Sequence, residues 1–324
     1  MSDYFNVSEY MNDFRDINII IGARGIGKTY SLLRFLVESG ECFLYMRNTK
    51  TQIDECSGEF GNPFKAINND FDYNIRVELS KNHGFIMSED NCIGYVAALS
   101  TFENLRGVDL SDVKYIIYDE FIDMQPLRYN QFEAFVNAYE TINRNREFKG
   151  DKALMCFLLS NAQKLDSPIL AGFNLIPEIE GMIKTKQAKF KRENVLVLLP
   201  EVNISNKKKQ SGIYKAIAGS DIYKENIENV FSHDSYYGVK RDKNIESYSP
   251  VARLDDIYIY RHKSRALYYF CATPAQNVAE YSSKDNYIPF MRNIGSMFVA
   301  LWGSDCLQFS DYTTKLKVKK ILKI

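Results

Sequence analysis

An α/β fold with a mostly parallel sheet is what this chain of 324 residues predicts, and three observations predict it. Short apolar runs, each long enough for one buried strand, recur along the first two thirds of the sequence. Segments with apolar residues at helical spacing separate them. The first run ends at a glycine and passes through a glycine-rich turn into a helix. Strands that alternate with helices pair in parallel, because each helix carries the chain back across the sheet.

The elements follow in order. Ile17 to Ile21 reads INIII, a buried strand. Thr29 to Glu38 has the helical apolar period. Cys42 to Met46, Tyr95 to Leu99, Tyr115 to Tyr118 and Ala153 to Leu159 are further strands, and Phe132 to Ile142 is an amphipathic helix. Val195 to Leu199 is the last strong apolar run. Asn203 to Gly212 is polar and basic, and reads as a linker or exposed loop. Beyond it, Ile257–Tyr260 and Ala266–Cys271 are strand-like. The tail from Lys315 to Ile324 alternates Lys with apolar residues, as a solvated terminal strand or helix does. The expected division is a larger domain over 1–200, a linker or hinge over 201–225 and a smaller α/β domain over 226–324.

Composition narrows the class. Apolar residues make up 45% and charged residues 25%, an ordinary globular balance. The formal net charge is zero, yet residues 1–200 carry −6 and residues 201–324 carry +6. A basic C-terminal third can hold a polyanion locally even when the whole chain is neutral; chance asymmetry explains the numbers equally well. The six cysteines form no C-x-x-C pair, which fits buried thiols in a cytosolic protein better than disulfides or zinc. No apolar run approaches a membrane span and the N-terminus has no signal-peptide pattern, so a soluble intracellular protein is expected.

The chemistry is concentrated at residues 22–29. Gly22-Ala23-Arg24-Gly25-Ile26-Gly27-Lys28-Thr29 fills the pattern G-x-x-x-x-G-K-[ST] between a strand and a helix. Glycines let the backbone curl its N–H groups around phosphate oxygens, and the helix N-terminus favours the anion. Lys28 is expected on the β- and γ-phosphates of ATP, and Thr29 on Mg²⁺. Residues Gly22 to Tyr30 are thus candidate nucleotide contacts; Arg24 faces either the nucleotide or an acidic neighbour. The strand at 115–118 runs into Asp119-Glu120. Asp119 is the candidate metal residue, and Glu120 the general base for the attacking water. No guanine-specific N-K-x-D motif is present, so ATP is preferred to GTP.

Two further signals have equal structural explanations. Arg144 and Arg146 end the amphipathic helix. A guanidinium there either neutralises a phosphoryl group, at a neighbouring subunit's nucleotide, or merely complements the helix dipole. Ser160-Asn161 follows the Ala153–Leu159 strand, where a sensor of the γ-phosphate or a simple strand-ending turn would sit.

These stretches, in this order, resemble the DNA-packaging ATPases (encapsidation proteins) of small tailed phages of the phi-twenty-nine type. The matching residues are IGARGIGKTY at 21–30, YDEFI at 118–122, INRNRE at 142–147 and LLSNA at 158–162. The resemblance covers about residues 15–200 and is fainter beyond. It implies a P-loop NTPase domain of the ASCE type and a homo-oligomeric ring, pentameric when working, at the portal vertex of a procapsid in the host cytoplasm. It implies that ATP hydrolysis drives double-stranded DNA inward, and that the ring meets the portal directly or through an RNA or protein adaptor.

By the same resemblance, Lys28 and Thr29 bind nucleotide, Asp119 and Glu120 serve metal and water, and Arg144 is the arginine finger between subunits. Arg106 stands where the family has a lysine near the subunit interface. The C-terminal domain is similar to an RNase H-like nuclease without its catalytic carboxylates. Asp221, Asp255, Asp256, Asp305 and Asp311 are its scattered acids, and a two-metal site among them is the alternative. Lys207, Lys208, Lys209, Lys317, Lys319 and Lys320 are then sequence-independent phosphate contacts to DNA. Two other readings share the ATP site: a helicase or partition motor, and a protein whose assembly is gated by nucleotide without a motor function.

Overall fold

A computed structural model describes residues 3–81, 83–105, 108–122, 130–144, 146, 150, 152–161, 165, 167–218, 223, 244–302, 304 and 306–324. The chain forms two compact units, the division falling after residue 231.

Nine strands make the sheet of the first unit. In chain order they are β1 (Ile17–Gly22), β2 (Phe43–Arg47), β3 (Ile75–Leu79), β4 (Gly84–Ser88), β5 (Asn91–Ala98), β6 (Tyr115–Asp119), β7 (Met155–Asn161), β8 (Lys189–Arg192) and β9 (Val195–Leu198). They lie in the order β3-β4-β5-β2-β6-β7-β1-β9-β8. The six strands from β5 to β9 in that order pair in parallel, and β3, β4 and β8 add antiparallel edges. The central strands are apolar because both of their faces are covered: every residue of β1 is buried, as are Ile116, Ile117 and Tyr118 on β6 and Cys156 to Ser160 on β7.

Helix α1 (Lys28–Ser39) buries Leu32, Leu33 and Leu36 and stops at Gly40, whose φ of +69° ends the helix as only glycine does readily. Three short helices follow: α2 (Lys50–Asp54) and α3 (Lys65–Phe71) after β2, and later α5 (Pro168–Gly172). Between them α4 (Gln131–Asn143) starts at Asn130, whose side chain accepts from Glu133 N, and ends at Arg144 in left-handed backbone. Helix α6 (Ile176–Thr185) precedes β8.

Two expectations are corrected here. Asn203–Gly212 is not a loop. Residues Asn203–Lys208 form helix α7 and Gly212–Ala216 form α8. Val202 and Ile204 pack on the apolar core beneath the sheet, and Ile204 N bonds the carbonyl of Asp3 at 2.9 Å. Apolar anchoring at two positions thus recruits a polar stretch into the first unit. Strand β7 extends to Asn161 because Ser160 and Asn161 pair with Ile21 and Gly22 of β1. Among the thiols, Cys56, Cys156 and Cys271 are buried and Cys92 is exposed; all six are free.

The second unit holds β10 (Tyr248–Leu254), β11 (Ile257–His262), β12 (Tyr268–Cys271), β13 (Ala279–Tyr281) and β14 (Leu307–Phe309) in the order β13-β10-β11-β12-β14. β10, β11 and β12 form an antiparallel meander, and β13 and β14 join its two edges in parallel. Helices α9 (Tyr287–Phe290), α10 (Ser296–Ala300) and α11 (Tyr312–Leu322) supply Phe290, Phe298, Val318 and Leu322 to its core. The Lys-rich tail is thus a helix, capped by the Asp311 side chain on Thr314 N. No helix among the described residues is long and apolar enough to cross a membrane.

Candidate active site

Parallel register brings the ends of four strands to one level. Gly22 on β1 lies opposite Asn161 on β7, Asp119 on β6 opposite Leu159 on β7, and Met46 on β2 opposite Tyr118 on β6. Residues that close these strands therefore meet in the crevice at the carboxyl edge, where open parallel sheets bind ligands.

The glycine loop leaves β1 through Gly25 and Gly27, with φ of +68° and +91°. Side chains rarely tolerate such backbone, so glycine is required at both points. Helix α1 begins directly at Lys28, and its unpaired N–H groups open on the loop. Lys28 is nearly fully buried. Its Nζ donates to the carbonyls of Gly22 and Ala23, both at 2.9 Å, and to Asn161 Oδ1 at 3.2 Å. Burial pulls the ammonium down to about 8, although the charge of Asp119 opposes the shift.

Asp119 is buried and multiply held. Thr29 Oγ1 donates to its Oδ1 at 3.1 Å, and the Tyr45 hydroxyl donates to its Oδ2 at 2.9 Å. Burial, ahead of the neighbouring Asp119 charge, pushes the Tyr45 phenol well up, so it remains a donor. Glu120 is half exposed and sits at φ +54°, a conformation uncommon for its type. Asn48 Nδ2 fixes that turn by donating to the Glu120 carbonyl at 2.9 Å. Arg47 Nη1 stands 2.7 Å from Glu120 Oε2 and 3.7 Å from Asp119 Oδ2.

Behind them lies a polar cluster, in which Gln131 Nε2 is 3.0 Å from Asn48 Oδ1, 2.6 Å from the Tyr118 hydroxyl and 2.6 Å from the Phe121 carbonyl. Lys28, Thr29, Asp119, Glu120, Ser160 and Asn161 line a pocket of about 210 Å³, which Arg24, Gly25, Gly27 and Tyr30 complete. A larger hollow of about 790 Å³ adjoins it at Gly25 and Gly27, between α1 and residues 3–8. Gly22, Ala23 and Ile26 contribute backbone and packing: Ala23 and Ile26 are buried in the core.

The remaining candidates separate. Arg146 is buried and donates to the carbonyls of Val113, Leu110 and Ser111 at 2.5, 3.4 and 2.8 Å, which is a structural role. Arg144 is exposed, held by Asp109 and the Val108 carbonyl at 3.4 and 3.3 Å. Arg106 lies outside the described residues. Lys207 and Lys208 depart from an open DNA-facing stretch: Lys207 pairs with Asp3 at 2.5 Å, and Lys208 donates to the carbonyl of Arg24 in the glycine loop. Lys209 and Lys320 are exposed, Lys319 is half-buried, and Lys317 pairs with Asp256 at 2.5 Å.

Of the five candidate acids towards the C-terminus, those described are engaged locally. Asp255 accepts from Ser283 N, Asp311 caps α11, and Asp221 and Asp305 lie outside the described residues. No cluster of three or more metal-binding His, Cys, Asp or Glu side chains exists among the described residues.

Sequence reasoning passed over Arg47, Tyr45, Asn48 and Gln131. The first had a usable signal: it follows the CFLYM run, and the residue closing a parallel strand faces the crevice. Asn48 and Gln131 had none, because the contacts that tie Asn48 to Glu120 and to Gln131 span 72 and 83 residues.

A model of the podovirus DNA encapsidation protein (Gp16) family matches residues 1–256. The DNA packaging protein of Bacillus phage PZA is 28% identical over 251 residues, which span 74% of this chain and 70% of that protein. The N-terminal domain of the DNA packaging ATPase from bacteriophage phi29 superposes at a TM-score of 0.50 with 26% identity, over 62% of this chain and 98% of that one. The Phi-28 gp11 DNA packaging motor has the same fold at a TM-score of 0.69 and 20% identity, covering 99% of this chain and 98% of that chain.

Proposed function

This chain belongs to the podovirus DNA encapsidation protein (Gp16) family, and from that premise we propose a ring-forming ATPase motor that couples ATP hydrolysis to translocation of double-stranded viral DNA into a procapsid. One observation carries the enzymatic part. Lys28, Thr29, Asp119, Glu120 and Asn161 converge at the carboxyl edge of one parallel sheet, around a glycine loop that opens a helix. Strand β7 lies between the strand of the loop and the strand of the acidic pair, as in P-loop ATPases of the ASCE type.

In this reading, the loop backbone and Lys28 bind the phosphate chain of ATP, Asn161 reads the terminal phosphate, and the nucleoside extends into the larger hollow beside α1. The contact of Thr29 Oγ1 with Asp119 Oδ1 offers hard oxygen donors that fit Mg²⁺, which takes few protein ligands beside phosphates and water. When bound, that ion would neutralise charge on the phosphates. Glu120 orients the attacking water and accepts its proton. Arg47 and the Asn48 turn set the position of that carboxylate.

Arg144, exposed and weakly held, is the finger that reaches a neighbouring subunit's nucleotide. The motor is a ring, a pentamer in its working state, at the procapsid portal vertex in the host cytoplasm, joined to the portal directly or through an RNA or protein adaptor. Residues 201–225 carry the connection to the second unit, an RNase H-like DNA-binding domain without nuclease activity. The engagement of Asp255, Asp256 and Asp311 in caps and ion pairs supports that inactivity. Lys209, Lys317, Lys319 and Lys320 remain its candidate phosphate contacts.

Steady-state ATP hydrolysis, with and without long double-stranded DNA and procapsids, tests the proposal. DNA with procapsids should stimulate turnover, and Glu120→Gln should lower it by about 10²-fold or more while ATP still binds. Turnover indifferent to both DNA and procapsids would sink the motor reading.

A further inference from the structure

Helix α7 places a second lysine against the glycine loop, from a part of the chain that sequence reading assigns to a linker. Lys208 Nζ donates to the carbonyl of Arg24. The same Nζ stands 2.8 Å from where a Cβ on Gly25 would lie, so the ammonium fills the space that the bare glycine leaves. Its charge is felt at Lys28, whose ammonium it disfavours beside the larger effect of burial, and burial and then Arg24 act likewise on Lys208. Three cationic side chains thus crowd one loop whose backbone is shaped for an anion. Like charges at such range repel, and a polyanion between them relieves the repulsion.

The position is built rather than incidental. Ile204 and Val202 anchor α7 on the core, Ile204 N bonds the Asp3 carbonyl, and Lys207 pairs with the Asp3 carboxylate. The N-terminal segment that holds α7 is itself tied to the loop, through Phe5 N and the Ile26 carbonyl at 2.9 Å. A carbonyl is a modest partner for an ammonium; a phosphate oxygen is a stronger one.

We propose that Lys208 is a phosphate-contacting residue of the ATP site, delivered by α7, which the core already holds against the glycine loop, so that a bound nucleotide exchanges the Arg24 carbonyl for a phosphate oxygen as the partner of this ammonium. This rests on the ATP-site reading above. It gives the segment leading out of the ATPase unit a direct stake in nucleotide occupancy, since losing the phosphate chain returns Lys208 to the Arg24 carbonyl. It also reassigns Lys208 from DNA to nucleotide.

The test is equilibrium binding of a non-hydrolysable ATP analogue to the full chain, followed beside DNA binding. Lys208→Ala should weaken the analogue about tenfold, Lys208→Arg should restore most of the affinity, and Lys215→Ala on exposed α8 should leave it unchanged. Circular dichroism and the thermal midpoint control for folding, which Lys208→Arg, keeping the charge and most of the stem, should not disturb. Lys28→Ala separates the two proposals. If Lys28→Ala retains analogue binding, the ATP-site reading itself fails. If Lys28→Ala loses binding while Lys208→Ala keeps the wild-type Kd, Lys208 does not touch the phosphates. Weaker DNA binding in Lys208→Ala with an unchanged analogue Kd returns the residue to a DNA role and overturns the proposal.

Discussion

Lys28 is a cation in a place that disfavours charge. Its ordinary value of 10.5 falls to about 8 in the fold because burial strips its water. Between those values the unfolded chain binds more protons than the folded one, so stability rises as pH climbs from about 8 towards 10.5. Lys28→Met should therefore raise stability at pH 7 by about 1–3 kcal/mol, with the gain shrinking by pH 10, while ATP binding is lost. Urea unfolding at the two pH values checks this; a gain independent of pH would mean the charge is not the cost.

Arg47 is the residue-scale surprise. Replacing it with Met removes the only cation close to both Asp119 and Glu120 among the described ion pairs. Turnover should fall at least tenfold with KM little changed, and Lys at this position should recover part of it. A changed KM with intact kcat would place Arg47 in binding instead.

At the scale of elements, α4 runs from the site to the proposed finger. Its first residue, Gln131, stands behind the Glu120 turn, and its last turn runs into Arg144. Gln131→Leu removes a donor within reach of three acceptors and should destabilise the unit by about 1–3 kcal/mol. It should also lower kcat more than it raises KM, because the Asn48–Glu120 contact loses its support. The two arginines after α4 are expected to differ sharply. Arg146→Met should cost about 1–3 kcal/mol of stability, since three carbonyls lose their donor. Arg144→Met should stay within about 0.5 kcal/mol of wild type. Thermal melts of both variants decide it; equal effects would contradict the division into a buried structural arginine and an exposed one.

For the molecule as a whole, a finger acting between subunits predicts complementation. Arg144→Ala and Glu120→Gln chains should each be nearly inactive in homo-oligomers. Mixed rings contain sites that pair an intact Glu120 with a neighbour's intact Arg144, and these should regain measurable hydrolysis. Mixtures that stay as inactive as either variant alone would place Arg144 in its own subunit's chemistry. The basic C-terminal third sets a second whole-molecule expectation: DNA affinity should fall steeply with salt, and Lys320→Ala should make that dependence shallower by about one charge.

Much of this was written in the order of residues. GARGIGKT between an apolar run and a helical period specifies its own local geometry, because glycines, the lysine and the helix start are contiguous and their chemistry needs no distant partner. The apolar runs likewise named their strands, since burial on both faces demands them. Strand order, the level at which the strands end and the meeting of Gly22 with Asn161 were decided by the tertiary structure. So were the pairing of Arg47 with Glu120, the cluster around Gln131 and the docking of α7. Each joins residues far apart in sequence, and a side chain's charge or hydrogen-bonding capacity says what it can bind, while only the packed sheet says which partner it reaches.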